Sequence, residues 1–206
     1  MKEDGFYIVG IGASAGGLQA ITDFLSSLKE DPQAAIIIVQ HLKREVKSQL
    51  SDILSQRTHL PVERITHGTV VKKNRVYVMP ENKKLNMVSG VLYLSPRPEE
   101  EKINKAINYF LLSLAEDARE RVIGIIMSGT GTDGVEGCYA IENNGGVVLV
   151  QDPSTAHFDG MPLSSIRYDH PDYVLAPTDM PALIQLIVSG KEDKSRRRKR
   201  SLLDFY

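Results

Sequence analysis

Four short runs are apolar at almost every position: Phe6–Ile11, Ala34–Val39, Val122–Met127 and Val147–Val150. None alternates with polar residues, so none reads as a strand with one wet face. None approaches the roughly twenty residues needed to cross a bilayer. A strand that is apolar on both sides of its pleat must be covered on both faces, which is the condition of a parallel sheet between helices. The intervening segments supply the covers. Gly17–Leu28 carries Leu18, Ile21, Leu25 and Leu28 at helical spacing, and Val46–Gln56 carries Leu50, Ile53 and Leu54. Lys102–Ala118 repeats the pattern with Ile103, Ile107, Phe110, Leu111 and Leu114. Val135–Asn143, stopped by Asn144-Gly145-Gly146, and Pro181–Val188 are shorter helices. Arg75–Met79 reads as a further strand, and Lys84–Ser95 as two strands folded at Ser89-Gly90. The fold predicted is α/β: a doubly wound, mostly parallel sheet with helices on both faces and a β-hairpin insertion.

Charge and cysteine content narrow the function. Twenty-five basic and 26 acidic side chains leave a net charge of −1, without the basic footprint that nucleic acid demands. One cysteine, Cys138, excludes an internal disulfide framework and suits a reducing compartment. Met1–Gly5 leads into the first strand with no signal-peptide core, and no run is long enough for membrane insertion, so a cytoplasmic protein is expected. Residues 1–190 read as one domain. Residues 191–206 read as a basic tail or linker around Ser195-Arg196-Arg197-Arg198-Lys199-Arg200, a solvated run before it is an anion-binding one.

Ligands of open parallel sheets bind beyond the carboxyl ends of the strands. The first strand ends in Gly10-Ile11-Gly12-Ala13-Ser14-Ala15-Gly16-Gly17, the second in Gln40-His41, the third in Ser128-Gly129-Thr130-Gly131-Thr132-Asp133-Gly134, and the fourth in Gln151-Asp152-Pro153. A serine, a histidine and an aspartate thus reach one rim from three strands, as a Ser-His-Asp relay requires. Two other readings compete at Ser14. The glycines approximate a dinucleotide fingerprint, but that reading expects an acid for the ribose where this chain has Gln40-His41. The turn is otherwise a tight bend without chemistry. His59 and His67 fall in loops, whereas His157 and His170 rival His41. An α/β-hydrolase order would pair Ser14, Asp133 and His157, yet there the serine follows several strands and here it follows one. The order Ser14, His41, Asp133 is preferred.

These segments together resemble the catalytic domain of CheB-type chemotaxis protein-glutamate methylesterases, from about Tyr7 to about Val188. The resemblance rests on the Gly10–Gly17 turn, Val39-Gln40-His41, Val76-Tyr77-Val78-Met79-Pro80 and Ser128–Gly134. It extends through Gly145-Gly146, Gln151-Asp152 and Gly160-Met161-Pro162. It implies a hydrolase that demethylates glutamate methyl esters on the cytoplasmic helices of methyl-accepting chemotaxis receptors, releasing methanol, and that in some members deamidates receptor glutamines. It implies Ser14 as nucleophile, His41 as general base and acid, and Asp133 as the group orienting the histidine. Elbow logic and the aspartate loop point to the N–H groups of Ala15 and Thr130 for the oxyanion. No metal or organic cofactor is implied.

The chain departs from the common pattern at Ala15, where threonine is frequent, near Asn108, where an acid is frequent, and at Leu163, where arginine is frequent. Only a few residues precede the first strand, so phosphorelay control by an N-terminal receiver domain is not expected within these residues. The Ser14-Ala15-Gly16-Gly17-Leu18 variant looks more like methylesterase domains fused to a CheR-type methyltransferase. A catalytically silent module that binds receptor or methyltransferase is the alternative reading, and a dinucleotide-binding domain a remote one.

Overall fold

The computed structural model describes residues 5–42, 48–101, 103–169 and 171–196. Strand β1 (Tyr7–Ala13) is followed by α1 (Gly17–Ser26), β2 (Ala34–Gln40), α2 (Leu50–Ser55), β3 (Val62–Arg64), β4 (Thr69–Val70) and β5 (Val76–Val78). Strands β6 (Lys83–Val88) and β7 (Val91–Pro96) lead to α3 (Ala106–Ala118), β8 (Val122–Ile126), α4 (Val135–Asn143) and β9 (Val147–Gln151). Helix α5 (Gly160–Tyr168), β10 (Tyr173–Leu175) and α6 (Met180–Val188) complete the order.

Seven strands form one sheet in the order β10-β9-β8-β1-β2-β5-β3, and every pairing in it is parallel. The chain leaves β1 toward β2, then returns to place β8 on the other side of β1. The crevice above β1 and β8 is therefore the topological switch point, where doubly wound sheets bind ligands. A three-stranded antiparallel sheet, β4-β7-β6, stands apart. Its hairpin turns at Ser89 and Gly90, both at positive φ (52° and 73°), as a two-residue turn requires. Their N–H groups donate to the Asp117 carboxylate on α3, which fastens the insertion to the main body.

Alternation along the strands sorts the core into two halves. Val9, Ile11, Ala13, Ile36 and Ile38 pack under α1, α2 and α6, with Ile21, Phe24, Leu54 and Ile184. Ile8, Ala35, Ile37 and Val39 pack under α3, α4 and α5, with Phe110, Leu111, Leu114, Cys138 and Met161. On that second face β1 carries Gly10 and Gly12 instead of side chains. A Cβ at Gly12 would lie 2.4 Å from Ile107 Cγ2, and one at Gly10 would lie 2.7 Å from Leu114 Cδ2. The two glycines let α3 lie directly on the strand. They are packing glycines, which accounts for the Gly-x-Gly spacing without a phosphate.

Several boundaries differ from the sequence expectation. Helix α3 begins at Ala106, so Ile103 lies outside it and is 73 % exposed. Helix α2 spans only Leu50–Ser55; Ile53 is exposed, and Val46 and Lys47 lie outside the described residues. Leu18 is likewise exposed at the start of α1, where Ala20 and Phe24 take the inward positions. Strands β3, β4 and β10 and helix α5 were not expected. The edge strands β3, β4 and β10 are two or three residues long, too short to register a period. Helix α5 opens on Gly160-Met161-Pro162, which reads as a loop, although proline is accepted in a first helical turn.

Candidate active site

Three loops meet above β1, β2 and β8. Leaving β1, the Ser14 N–H donates to Ser128 O at 2.9 Å, and the Gly17 N–H returns to Ser14 O at 2.9 Å. Gly16 is the left-handed N-cap of α1 (φ 72°). Leaving β2, the His41 N–H donates to Ala13 O at 3.0 Å and carries the ladder one residue beyond the strand. Leaving β8, Ser128 is fully buried, and its N–H and hydroxyl are both tied. Its N–H donates to Gln151 Oε1 (2.8 Å), its hydroxyl donates to Ala15 O (2.8 Å), and that hydroxyl accepts from the Phe158 N–H (3.0 Å). The serine elbow is thus anchored both to its own helix, through Gly17, and to the loop that leaves β8, through Ser128.

His41 and Asp133, 92 residues apart, are joined by a 2.8 Å hydrogen bond from Nε2 to Oδ2. The carboxylate is buried at the start of α3, where it accepts the Ile107 N–H on Oδ2 and the Asn108 N–H on Oδ1, both at 2.9 Å. The first amides of a helix have no partner within it, so the terminus is a natural seat for a carboxylate. Donation through Nε2 leaves Nδ1 of His41 as the basic nitrogen, and it has no partner among the described residues. The relay therefore runs through the ring in the opposite sense to the familiar arrangement, in which Nδ1 faces the acid.

Ser14, His41, Asp133, Thr130 and Asn108 line one cavity of about 280 Å³, with Ile103, Lys105 and Glu136 at its mouth. No hydrogen bond joins Ser14 Oγ to His41 among the described residues. Neither the Ala15 nor the Thr130 N–H donates to another backbone group there, whereas the neighbouring Gly129 N–H is spent on Phe158 O. Close approach makes position 129 a glycine: a Cβ would meet Met161 Sδ at 2.2 Å and Ser14 Cβ at 2.9 Å.

The rivals are placed elsewhere. His157 lines a separate cavity beyond Gly16, with Gln19, Asp23 and Gln151, and its ring stacks edge-on with Phe158. His170 lies outside the described residues. His59 pairs with Asp31 and His67 with Leu94 O. Cys138 is fully buried in the core, and burial pushes its thiol well up, which removes it as a nucleophile. Among the described residues no cluster of three His, Cys, Asp or Glu side chains is set to hold a metal ion. No described helix is long and apolar enough to cross a membrane.

The CheB methylesterase family model matches residues 9–184. The chain belongs to the CheB methylesterase family. The fold agrees with the solved CheB methylesterase catalytic domain of Thermotoga maritima: TM-score 0.81 and 28% identity, over 89% of this chain and all of that one. A protein-glutamate methylesterase/protein-glutamine glutaminase of Anaeromyxobacter dehalogenans is 31% identical over 86% of this chain and 52% of its own length. Another, of Burkholderia thailandensis, is 33% identical over 93% of this chain and 56% of its own length. The chain spans about half the length of the curated relatives it matches.

Within this CheB-family site, three supports have roles that the sequence does not show: Ile107, Asn108 and Gln151. Ile107 and Asn108 act through backbone N–H groups, which leave no trace in residue type. Asn108 left a faint one, a polar side chain in the first turn of an otherwise apolar helix face. Gln151 ends an apolar strand, and its hold on Ser128 becomes visible only in three dimensions.

Proposed function

We propose that this CheB-family chain hydrolyses glutamate methyl esters on the cytoplasmic helices of methyl-accepting chemotaxis receptors, with Ser14, His41 and Asp133 as the catalytic group. The observation that carries this reading is the His41–Asp133 hydrogen bond of 2.8 Å in the same cavity as Ser14. Asp133, held by two helix N–H groups, fixes the tautomer in which Nδ1 is basic. Nδ1 takes the Ser14 proton as Oγ attacks the ester carbonyl. The Ala15 and Thr130 N–H groups face the oxyanion. The C–O bond to the methoxy group breaks, and His41 returns the proton so that methanol leaves. Water then adds to the acyl-serine by the same route in reverse, freeing glutamate and Ser14.

A primary carboxamide meets the same geometry with ammonia as the leaving group. The paired names of the relatives, protein-glutamate methylesterase and protein-glutamine glutaminase, support glutamine as the second substrate. Residues 1–190 are the catalytic unit in this reading, acting in the cytoplasm, and 191–206 a tail or linker. The serine-turn variant favours a CheR-type methyltransferase as partner in a longer polypeptide, which the coding sequence past Tyr206 tests.

The decisive assay is methanol release from methyl-labelled receptor membranes. The purified protein is expected to release label, and Ser14→Ala to release none above the uncatalysed rate. A wild type without release, or a Ser14→Ala variant as active as wild type, overturns the proposal.

A further inference from the structure

Asn108 contributes more to this site than its backbone. It stands in the first turn of α3, is 5 % exposed, and lines the cavity that holds Ser14, His41 and Thr130. Its side-chain oxygen accepts two backbone donors at the start of α4, the Gly134 N–H at 2.8 Å and the Gly137 N–H at 3.1 Å. Two donors fix the carboxamide's orientation, because a flipped group would set its own NH₂ against two N–H groups. The NH₂ must therefore face away from α4. It donates to no described residue. The NH₂ nitrogen is not among the buried unpartnered atoms and so stays open to solvent, free to donate to whatever enters the cavity.

We infer that the Asn108 NH₂ is a specificity-determining donor, turned by Gly134 and Gly137 toward the substrate's leaving group, where it favours an ester over a primary amide. This deepens the methylesterase reading and rests on it. The two substrates share a carbonyl and differ in the group expelled. A methoxy oxygen only accepts hydrogen bonds, so it suits an NH₂ donor. A carboxamide nitrogen brings two N–H bonds of its own, so donor would face donor. One hydrogen bond gained in one substrate and opposed in the other corresponds to a preference of about tenfold.

The isosteric change Asn108→Asp separates this role from the structural one. An aspartate keeps an oxygen for Gly134 and Gly137 and replaces the pocket-facing donor by an acceptor. The experiment measures kcat/KM for methanol release from methylated receptor membranes and for ammonia release from glutamine-bearing receptor, in the full chain. Wild type and Ser14→Ala run alongside, with a thermal melt for each variant. The ester-to-amide ratio is expected to fall about tenfold in Asn108→Asp. A smaller fall is expected in Asn108→Ala, which removes the donor without adding charge and serves if the aspartate variant does not fold. Equal losses on both substrates, or an unchanged ratio, make Asn108 a purely structural residue and overturn the inference. A wild type that releases no Ser14-dependent methanol fails a different arm. It removes the methylesterase reading itself and this role with it.

Discussion

Gly12→Ala tests whether the glycines of the first strand are there to seat α3. A Cβ at position 12 falls 2.4 Å from Ile107 Cγ2 and 3.3 Å from both Cγ1 and Cδ1. Ordinary contact between carbons begins near 3.5 Å, so about 1 Å must be found. Ile107 cannot turn aside: it is β-branched, nearly confined to one rotamer in a helix, and fully buried. The first turn of α3 has to lift instead. That turn carries the Ile107 N–H, which reaches Asp133 Oδ2 at 2.9 Å, and a lift of about 1 Å takes it out of hydrogen-bond range. Overpacking costs about 1–3 kcal/mol, and the weakened bond adds about 1 kcal/mol. The loss expected in urea unfolding is therefore about 2–4 kcal/mol. Catalysis suffers separately, because Asp133 holds His41, and a misplacement of that size is worth about a hundredfold in kcat. Ile107→Ala removes the offending methyl. The double variant should thus be more stable than the two single losses predict, by at least about 1 kcal/mol. A Gly12→Ala protein with the stability and kcat of wild type, or a strictly additive double variant, refutes the packing account.

Asp133→Asn keeps the shape of the side chain but turns an NH₂ toward one of its N–H donors. It is expected to lower kcat for methanol release by about 10⁴-fold and to cost about 1–3 kcal/mol in thermal unfolding, with substrate binding little changed. Beyond β5, Glu81 takes the Arg64 guanidinium at 2.8 Å and the Ser48 N–H at 3.3 Å. Burial alone would raise the Glu81 carboxyl, but its own N–H, Arg64 and the Ser48 N–H together outweigh burial and hold it below the ordinary carboxylate range. A carboxyl lowered by folding stabilises the protein above its ordinary value, and that contribution fades as pH falls through the lowered one. Glu81→Gln should therefore be less stable than wild type by about 1 kcal/mol at pH 7, with the gap closing in acid when urea midpoints are compared.

The sheet was legible because its strands are buried on both faces. A run such as Ala34–Val39 has one plausible environment, and four such runs with amphipathic segments between them leave one fold class. The carboxyl-end rule then named the loops that meet at one cavity, without any knowledge of strand order. What composition could not supply was direction within the site. That Asp133 faces Nε2 rather than Nδ1 of His41 depends on where α3 begins. Apolar periodicity placed that start four residues early, because Ile103 carries the spacing back into the segment before the helix begins. The cue was on the opposite strand: Gly10 and Gly12 are the positions of β1 that let α3 approach.

Glycine spacing alone does not separate a phosphate loop from a seat for a helix, because both demand the absence of a side chain. Over a phosphate, the missing Cβ lets a ligand meet the backbone; here it lets a helix do so. The geometry separates the two by what fills the space, since Ile107, Leu111 and Leu114 already occupy it. The helix that fills it then presents its free N–H groups to Asp133 at the crevice edge. The packing of α3 on β1 and the anchoring of the carboxylate are consequently one device: a change that lifts the helix reaches His41 through Asp133 without touching either residue. This is why sensitivity to substitution in this protein should extend from the loops that carry Ser14, His41 and Asp133 into the middle of the first strand.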